Sequence, residues 1–308
     1  MSEAASPLQA RQFGSLVDLD SPRLTPLKGV YRHGMVTIFS SKSALYLTSQ
    51  QESGPFTVFV PDLQRHMTRC RVGQKVYVNN KSITILEAGL TIDLKGAKPW
   101  PKTNMPKPAP WPKITLGIRS SLQKTLALTG QQSLALAATS KLSLNESAAP
   151  GETPPLWTRL QEALFQLFIA TQTADLYEIG AAANRLVGLG QGATPAGDDI
   201  LGGYLAALWY TGEYGHLSIA ESNTIRAKIL TLCRGRTNAL SAALLWAAAQ
   251  GETGGTLKTV LRLLLVGDTL PEQVISNLSN VGHSSGLDGL AGIVILLQAC
   301  NLALSKYP

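Results

Sequence analysis

Two segments of the chain combine glycines, hydroxyl groups and carboxylates at the start of a predicted helix. The first is GLGQGATPAGDDILGGYLAAL, Gly188 to Leu208, where Asp198 and Asp199 come just before an apolar stripe of helical spacing. Glycine destabilises a helix interior by about 1 kcal/mol relative to alanine, so this cluster indicates positive φ or close backbone approach. We expect Thr194 to be the N-cap and Pro195 the first helical residue. Free N–H groups and the helix dipole at such a start favour a phosphate or a carboxylate.

The second segment, GHSSGLDGLAGIVILL, Gly282 to Leu297, repeats the pattern G-x-D-x-L-x-G. The matching positions are Gly197 and Gly286, Asp199 and Asp288, Leu201 and Leu290, and Gly203 and Gly292. Ser285 followed by Asp288 also predicts a capping box. One interpretation is two capped helices whose glycines allow close packing. The other, favoured by the recurrence and by the adjacent His283, is one ligand-binding device built twice and directed toward one cleft.

A third segment, Cys233 to Glu252, predicts an alanine-rich helix that begins near Thr237. Thr237 and Ser241 then lie one turn apart on one face. Arg236 just precedes them, and a guanidinium group can hold a carboxylate or phosphate in a bidentate manner. The alternative is a solvated basic turn followed by a packing seam of small residues.

The three aspartates of these segments are candidate bases, metal ligands or caps. A carboxylate at a helix N-terminus is stabilised in its charged form, so we expect a lowered pKa and weak basicity near neutral pH. Contact with a substrate amide or with Mg²⁺ is then the better role, with Asp198, Asp199 and Asp288 as the candidate Mg²⁺ ligands. No cofactor is required by the motifs, and Mg²⁺ is the one they suggest.

His283 is the first choice for acid–base chemistry. The helix field that favours a charged aspartate disfavours imidazolium, which leaves a neutral ring able to donate or accept a proton. The alternative is a histidine that only closes a turn. The predicted catalytic residues are therefore His283, Asp199 and Asp288.

Taken together, the motifs G-L-G-x-G-x-T-P-x-G-D-D-x-L-x-G, T-x-x-x-S and G-H-S-S-G-x-D-x-L-A-G resemble the AllH family, the H subunit of oxamate carbamoyltransferase. Ala193 stands where the family pattern leads us to expect leucine. The N-terminal half is similar more loosely, through Gly54 to Val60 and Asp93 to Pro101. The resemblance implies an enzyme complex that transfers a carbamoyl group between carbamoyl phosphate and oxamate, forming or cleaving oxalurate, in allantoin breakdown. It assigns no catalytic residues.

The resemblance implies other carbamoyltransferase subunits as partners and a small anionic substrate, oxamate or carbamoyl phosphate. Loop amides and hydroxyl groups would hold the anion and stabilise charge on the carbamoyl oxygen. The predicted substrate-binding residues are Gly190, Gly192, Thr194, Gly197, Asp198, Arg236, Thr237, Ser241, Ser284, Ser285 and Gly286. Two alternatives remain: a stand-alone Mg²⁺-dependent hydrolase or phosphotransferase, and a non-catalytic scaffold subunit.

Composition favours a globular protein of the cytoplasm. Hydrophobic residues are 44% of 308, and the longest apolar run, Gly289 to Leu297, is too short to span a bilayer. Neither a signal peptide nor a membrane partner is expected. The net charge of +7 comes mostly from lysines between residues 95 and 113, so we do not expect nucleic acid as a partner. The three cysteines lack metal or disulfide spacing.

The sequence patterns that surround these motifs predict the α+β class, with a small N-terminal β-sheet or barrel domain followed by a mainly α-helical C-terminal domain. Residues 1–25 are expected to be loose, 26–96 to form the β-rich domain, 97–113 to be a linker rich in Pro, Lys and Trp, and 114–308 to be helical. Six alternating runs predict strands: MVTIF, ALYLT, FTVFV, KVYVNN, SITIL and LTIDL. Lys141 to Pro155 is expected to be a polar break between helices.

Overall fold

The computed structural model describes residues 7–130, 132–144, 155–212 and 214–306. The chain divides into two compact units, Met1–Lys102 and Thr103–Pro308. The first unit is a curled sheet and the second is mainly helical, which confirms the predicted α+β class.

In its described residues, from position 7 onward, the first unit contains ten strands and a short 3-10 helix at Leu63–Arg69. The strands are β1 Leu8–Gln9, β2 Gln12–Phe13, β3 Arg23–Val30, β4 Gly34–Ser40, β5 Ser43–Thr48, β6 Thr57–Phe59, β7 Lys75–Val78, β8 Ser82–Ile85, β9 Leu90–Asp93 and β10 Lys98–Pro99. All six predicted strands are present. Their alternation fixes the register: in β7 the buried residues Val76 and Val78 alternate with the exposed Lys75 and Tyr77.

The sheet curls until its two ends meet. Its strand order is β1-β9-β8-β7-β3-β4-β5-β6-β2-β10. β1 pairs with β9 and β2 pairs with β6, although only Ala10 and Arg11 separate β1 from β2 in the chain. One short segment therefore joins both ends of the sheet, which protects edges that would otherwise be open.

The expectation of a loose segment over residues 1–25 is wrong for the part that the structure describes. Residues 8–13 close the sheet, and β3 begins at Arg23 and pairs with both β4 and β7. The strands β1 and β2 are too short to show a pattern in the sequence, although Leu8 and Phe13 pack against the apolar core of the sheet. Residues 1–6 lie outside the described residues.

The second unit contains ten helices in its described residues. They are α1 Trp111–Thr129, α2 Leu134–Leu144, α3 Pro155–Gln172, α4 Leu176–Leu186, α5 Ala196–Thr211, α6 Ile219–Leu232, α7 Ala239–Ala248, α8 Gly255–Leu265, α9 Glu272–Ser279 and α10 Ser285–Lys306. The unit has its own apolar core, in which Ile200 and Leu290 are fully buried. Of the predicted break from Lys141 to Pro155, residues 145–154 lie outside the described residues, and α2 extends to Leu144.

The helix α10 is the core element of this unit, and α5, α3 and α2 pack most extensively against it. Within the described residues it is long and apolar enough to cross a membrane by length and composition, from Ser285 to Leu304. This corrects the expectation, based on the run from Gly289 to Leu297, that the longest apolar segment is too short to span a bilayer. Most of the helix is buried, which is typical of a core helix.

The chain between the units contains short pieces of structure. Trp100 belongs to the first unit, where its backbone N–H donates to the Phe13 carbonyl and its ring lies beside that of Phe59. Trp111 begins α1 and packs partly against the helical core. The boundary between the compact units, after Lys102, falls inside the segment 97–113 for which we predict a linker.

Candidate active site

The repeated pattern lies at the crossing of α5 and α10. A β-carbon added at Gly203 would overlap the carbonyl oxygen of Gly289, and one at Gly292 would overlap that of Ile200. In the repeat, Gly203 corresponds to Gly292 and Ile200 corresponds to Gly289. Each of the two contacts is therefore the counterpart of the other. The repeat is therefore an approximate two-fold arrangement in which glycine lets the two backbones touch.

The same relation holds where each helix begins. Gly197 lies against the carbonyl of Leu186, the last residue of α4, and Gly286 lies against the carbonyl of Leu278 in α9. In both halves of the repeat, the helix that carries the aspartate packs on the end of the helix before it. The chain must turn tightly between the two helices, which explains why glycine occupies both positions.

Hydroxyl groups join the two helix starts. Thr194 Oγ1 lies 3.1 Å from Ser285 Oγ and donates to Asp199 Oδ2, also at 3.1 Å. Thr194 is therefore not the N-cap that the sequence predicts. Pro195 occupies the cap position, and no side chain caps α5. The Thr194 hydroxyl is used across the repeat because Ser285 approaches it from α10.

Asp198 is a structural carboxylate. Its side chain is 3% exposed, and its two oxygens accept from the backbone N–H of Gly188, at 2.9 Å, and from the hydroxyl of Thr237. It therefore ties the glycine loop to the turn before α7. Buried carboxylates need such donors, and the two contacts occupy both oxygens.

Asp288 is also buried, at 2% exposure, with both oxygens hydrogen-bonded. The hydroxyl of Ser133 donates to Oδ1 at 2.6 Å and that of Ser284 to Oδ2 at 2.8 Å. The predicted capping box is wrong, because the Asp288 carboxylate meets hydroxyl groups and Ser285 is already helical. Ser133 was missed: the sequence shows only a residue before α2, and its contact with Asp288 spans 155 positions.

Asp199 differs from both neighbours because it remains partly exposed. Burial raises the pKa of its carboxyl to about 7, hydrogen bonds from Ser285 and Thr194 oppose this rise, and the negative charges of Asp288 and Asp198 add to it. Burial also raises the pKa of Asp288, against hydrogen bonds from Ser133 and Ser284 and the charge of His283. The prediction of lowered pKa values is therefore wrong for Asp199 and Asp288, because desolvation exceeds the helix dipole.

The glycine loop before α5 presents unpaired backbone donors. The amides of residues 190–194 donate to no atom in the described part of the chain. Gly190 and Gly192 have φ values of 111° and 110°, which side-chain-bearing residues rarely adopt. The Asn238 side chain holds the loop through the Ala193 carbonyl at 2.9 Å. Such a fixed loop with free amides can bind an anion.

The turn before α7 contributes differently from the prediction. The helix begins at Ala239 and not near Thr237, because Asn238 is the cap and accepts from the N–H of Ser241 at 3.0 Å. Arg236 is exposed and donates to the Asn184 carbonyl at 2.9 Å. Ser241 is 1% exposed, and its hydroxyl has no hydrogen-bond partner among the described residues.

His283 is exposed at the start of the α10 turn, and its ring makes no hydrogen bond with the residues that the structure describes. Its backbone carbonyl accepts from the Gln132 side chain at 2.7 Å. His283 is close enough to Asp288 for its charge to oppose the rise in the pKa of that carboxyl.

Among the described residues, the site contains no preformed cage of carboxylate ligands for a Mg²⁺ ion. Among the residues that the structure covers, no three His, Cys, Asp or Glu side chains are grouped so as to hold a metal. Asp198 and Asp288 already have both oxygens in hydrogen bonds, which leaves Asp199 without a second carboxylate ligand.

Comparison with protein families gives one match. Residues 186–297, roughly a third of the chain, match the family described as oxamate carbamoyltransferase subunit AllH. The matched region begins at the end of α4 and contains both halves of the repeat, which confirms the family resemblance of the motifs. Neither the curated proteins nor the solved structures contain a significant match.

Proposed function

We propose that this chain, whose residues 186–297 match the AllH family, is a subunit of a carbamoyltransferase that acts on oxamate and carbamoyl phosphate. The reaction would form or cleave oxalurate in allantoin breakdown. The observation that carries the proposal is the position of Asp199, a partly exposed carboxylate with a raised pKa, in the first turn of α5, directly after the loop whose amides at residues 190–194 have no acceptor among the described residues.

Asp199 suits the role of general base in this transfer. The amide nitrogen of oxamate is a poor nucleophile and must lose a proton as it attacks the carbonyl carbon of carbamoyl phosphate. A base with a pKa of about 7 is substantially ionised at neutral pH and still strong enough to accept that proton. Asp198 and Asp288 are less suited because each is buried with both oxygens in hydrogen bonds.

The loop amides suit the anionic groups of both reactants. As the nitrogen–carbon bond forms, negative charge grows on the carbamoyl oxygen, and N–H donors fixed in advance stabilise it. The carbon–oxygen bond to phosphate then breaks, and the phosphate leaves with the electron pair. The proton taken by Asp199 passes to the phosphate, so that oxamate and carbamoyl phosphate give oxalurate and hydrogen phosphate.

The phosphate group of the carbamoyl donor suggests that this chain acts as one subunit of a complex. Carbamoyl phosphate carries two negative charges on its phosphate, and such groups are usually held by charged donors. Arg236, the cation that the motifs place nearest to the loop, is exposed and already donates to the Asn184 carbonyl, and one guanidinium group matches only part of the charge of this phosphate. We therefore expect partner subunits to supply further phosphate-binding groups. This chain would bind oxamate, the acceptor of the carbamoyl group, and remove its proton.

The test is ligand-induced stabilisation of the full chain and of Asp199→Asn. Oxamate should raise the melting temperature of the wild type, since a ligand at 100 times its dissociation constant adds about 2.7 kcal/mol. The variant should keep its fold and its oxamate shift but lose turnover in the assembled complex, whereas Asp268→Asn, at an exposed position outside the site, should retain both.

Two results would contradict the proposal. Normal turnover by Asp199→Asn in the assembled complex would show that Asp199 is not the base. Full turnover of oxamate and carbamoyl phosphate by the isolated chain would remove the need for partner subunits, while turnover that appears only after partner chains are added would support it.

A further inference from the structure

A second cavity lies at the other end of α5 from the glycine loop. It has a volume of about 370 Å³ and is bounded by the C-terminal residues of α5, the first half of α6 and the segment Met105 to Lys107. Small-molecule sites usually occupy about 300–1,000 Å³. The glycine loop lies outside this cavity, so the family assignment and the proposed reaction leave it unexplained.

One wall of the cavity carries a cation, Arg226, that has no counter-ion among the described residues. Arg226 lies with its guanidinium carbon 4.5 Å from the ring centroid of Trp209. It donates to the carbonyl of Ala249 at 2.8 Å and to the side chain of Asn223, and none of the ion pairs of the described residues includes it. These neutral acceptors fix the guanidinium group but leave its charge without a carboxylate partner.

Ser222 adds a buried polar group on the same wall, one helical turn before Arg226. Its side chain is 3% exposed, and its hydroxyl has no hydrogen-bond partner among the described residues. An unsatisfied buried hydroxyl costs about 1–3 kcal/mol, so such groups call for an explanation. A ligand atom that accepts its hydrogen would supply the missing bond.

The remaining wall is aromatic. Trp209 is 44% exposed and Tyr214 is 41% exposed, although large aromatic side chains are usually more buried. Tyr210 also lines the cavity, with its hydroxyl donating to the Gly251 carbonyl at 3.0 Å, which turns the polar end of the ring away from a ligand. The cavity thus offers flat apolar faces beside one cation and one hydroxyl group.

We infer that this cavity binds a planar organic carboxylate whose ring packs on Trp209 and whose carboxylate accepts from Arg226 and Ser222. The carboxylate provides both the counter-charge for Arg226 and the acceptor for Ser222. The planar body covers the exposed aromatic faces. A small anion without an apolar body, such as oxamate, leaves those faces in water and should bind here weakly.

The experiment uses benzoate as the probe and the full chain, with binding followed by thermal shift and tryptophan fluorescence. Benzoate should bind saturably with a dissociation constant on the order of 1 mM, as expected for so small a ligand. Benzamide, its neutral analogue, and cyclohexanecarboxylate, its non-planar analogue, should each bind at least tenfold more weakly. Excess oxamate should not displace benzoate.

Variants then locate the site. Arg226→Gln should weaken benzoate binding at least tenfold, and Ser222→Ala should weaken it severalfold while leaving the fold intact, since only an unsatisfied hydroxyl is removed. Arg262→Gln, at an exposed arginine of α8, is the matched control and should bind as the wild type does.

Three outcomes would overturn the inference: no saturable binding up to about 10 mM benzoate, equal binding of benzamide, or unchanged affinity in both Arg226→Gln and Ser222→Ala. Binding only of an acidic peptide would likewise replace it with a docking surface for another chain. The Asp199→Asn variant should bind benzoate normally, so failure of this inference and failure of the proposed reaction are separable.

Discussion

Asp199→Asn should change how the stability of the helical unit depends on pH. Burial raises the pKa of the Asp199 carboxyl from 3.8 to about 7 in the folded chain. A carboxyl with a raised pKa costs no stability below its unfolded pKa. Between pH 3.8 and 7 its ionisation becomes steadily more unfavourable in the folded state, and above pH 7 the penalty is constant. Asparagine has nearly the same shape and no such titration.

The size of the effect follows from the two pKa values. Linkage gives a penalty of up to about 1.7 kcal/mol at pH 5 and about 4.3 kcal/mol at pH 8, a difference of roughly 2.6 kcal/mol. Because Asp199 is partly exposed, solvent screening reduces this ceiling, and we expect about 1–2 kcal/mol. The Thr194 hydroxyl can donate equally to the asparagine oxygen, so the comparison isolates the charge.

The assay is urea unfolding of wild type and variant at pH 5 and pH 8, followed by circular dichroism at 222 nm. This signal reports on the second unit, which contains all α-helices of the described residues. The stability gained by Asp199→Asn should be larger at pH 8 than at pH 5, while Asp268→Asn should show no such difference. An equal effect of Asp199→Asn at both pH values would refute the raised pKa.

Two further outcomes test the packing and the division of the chain. In urea unfolding, Gly203→Ala should lower the free energy of unfolding by about 1–3 kcal/mol or more, because its methyl group would overlap the Gly289 carbonyl. The control is Gly202→Ala, whose methyl group would meet no neighbouring atom within 4 Å. It should be neutral or stabilising by up to about 1 kcal/mol. In limited proteolysis, trypsin should cut first after Lys102, because this lysine is exposed, lies outside regular structure and, unlike Lys98 and Lys107, is not followed by proline. Mass spectrometry of the fragments identifies the first cut. A first cut after Arg236 would contradict the division into two units.

Periodicity was sufficient to predict the α+β class. Strands such as KVYV alternate in burial as their sequence does, and long apolar stripes such as that of α10 mark helices. The short strands β1 and β2 could not be predicted, because two-residue strands have no pattern of their own. They exist only because the curled sheet brings its two ends to the same segment.

The repeat G-x-D-x-L-x-G predicted which positions would be equivalent, and the structure brings the two helix starts together through Thr194 and Ser285. Local sequence could not predict the ionisation of Asp199 and Asp288. A helix N-terminus is visible in sequence, but desolvation depends on distant residues that cover it. The same limit concealed Ser133, whose hydroxyl reaches Asp288 from α2.

The three aspartates show how the fold separates structural from reactive carboxylates. Asp198 receives an amide and a hydroxyl donor, and Asp288 receives two hydroxyl donors, one of them from Ser133. In the approximate two-fold repeat Asp199 is the counterpart of Asp288, but its donors are only the linking hydroxyls of Thr194 and Ser285. Hydrogen bonds to both oxygens stabilise the two buried carboxylates and keep them from a ligand. The third carboxylate is less buried than the other two and has a raised pKa, so it is the one of the three that can exchange a proton with a ligand.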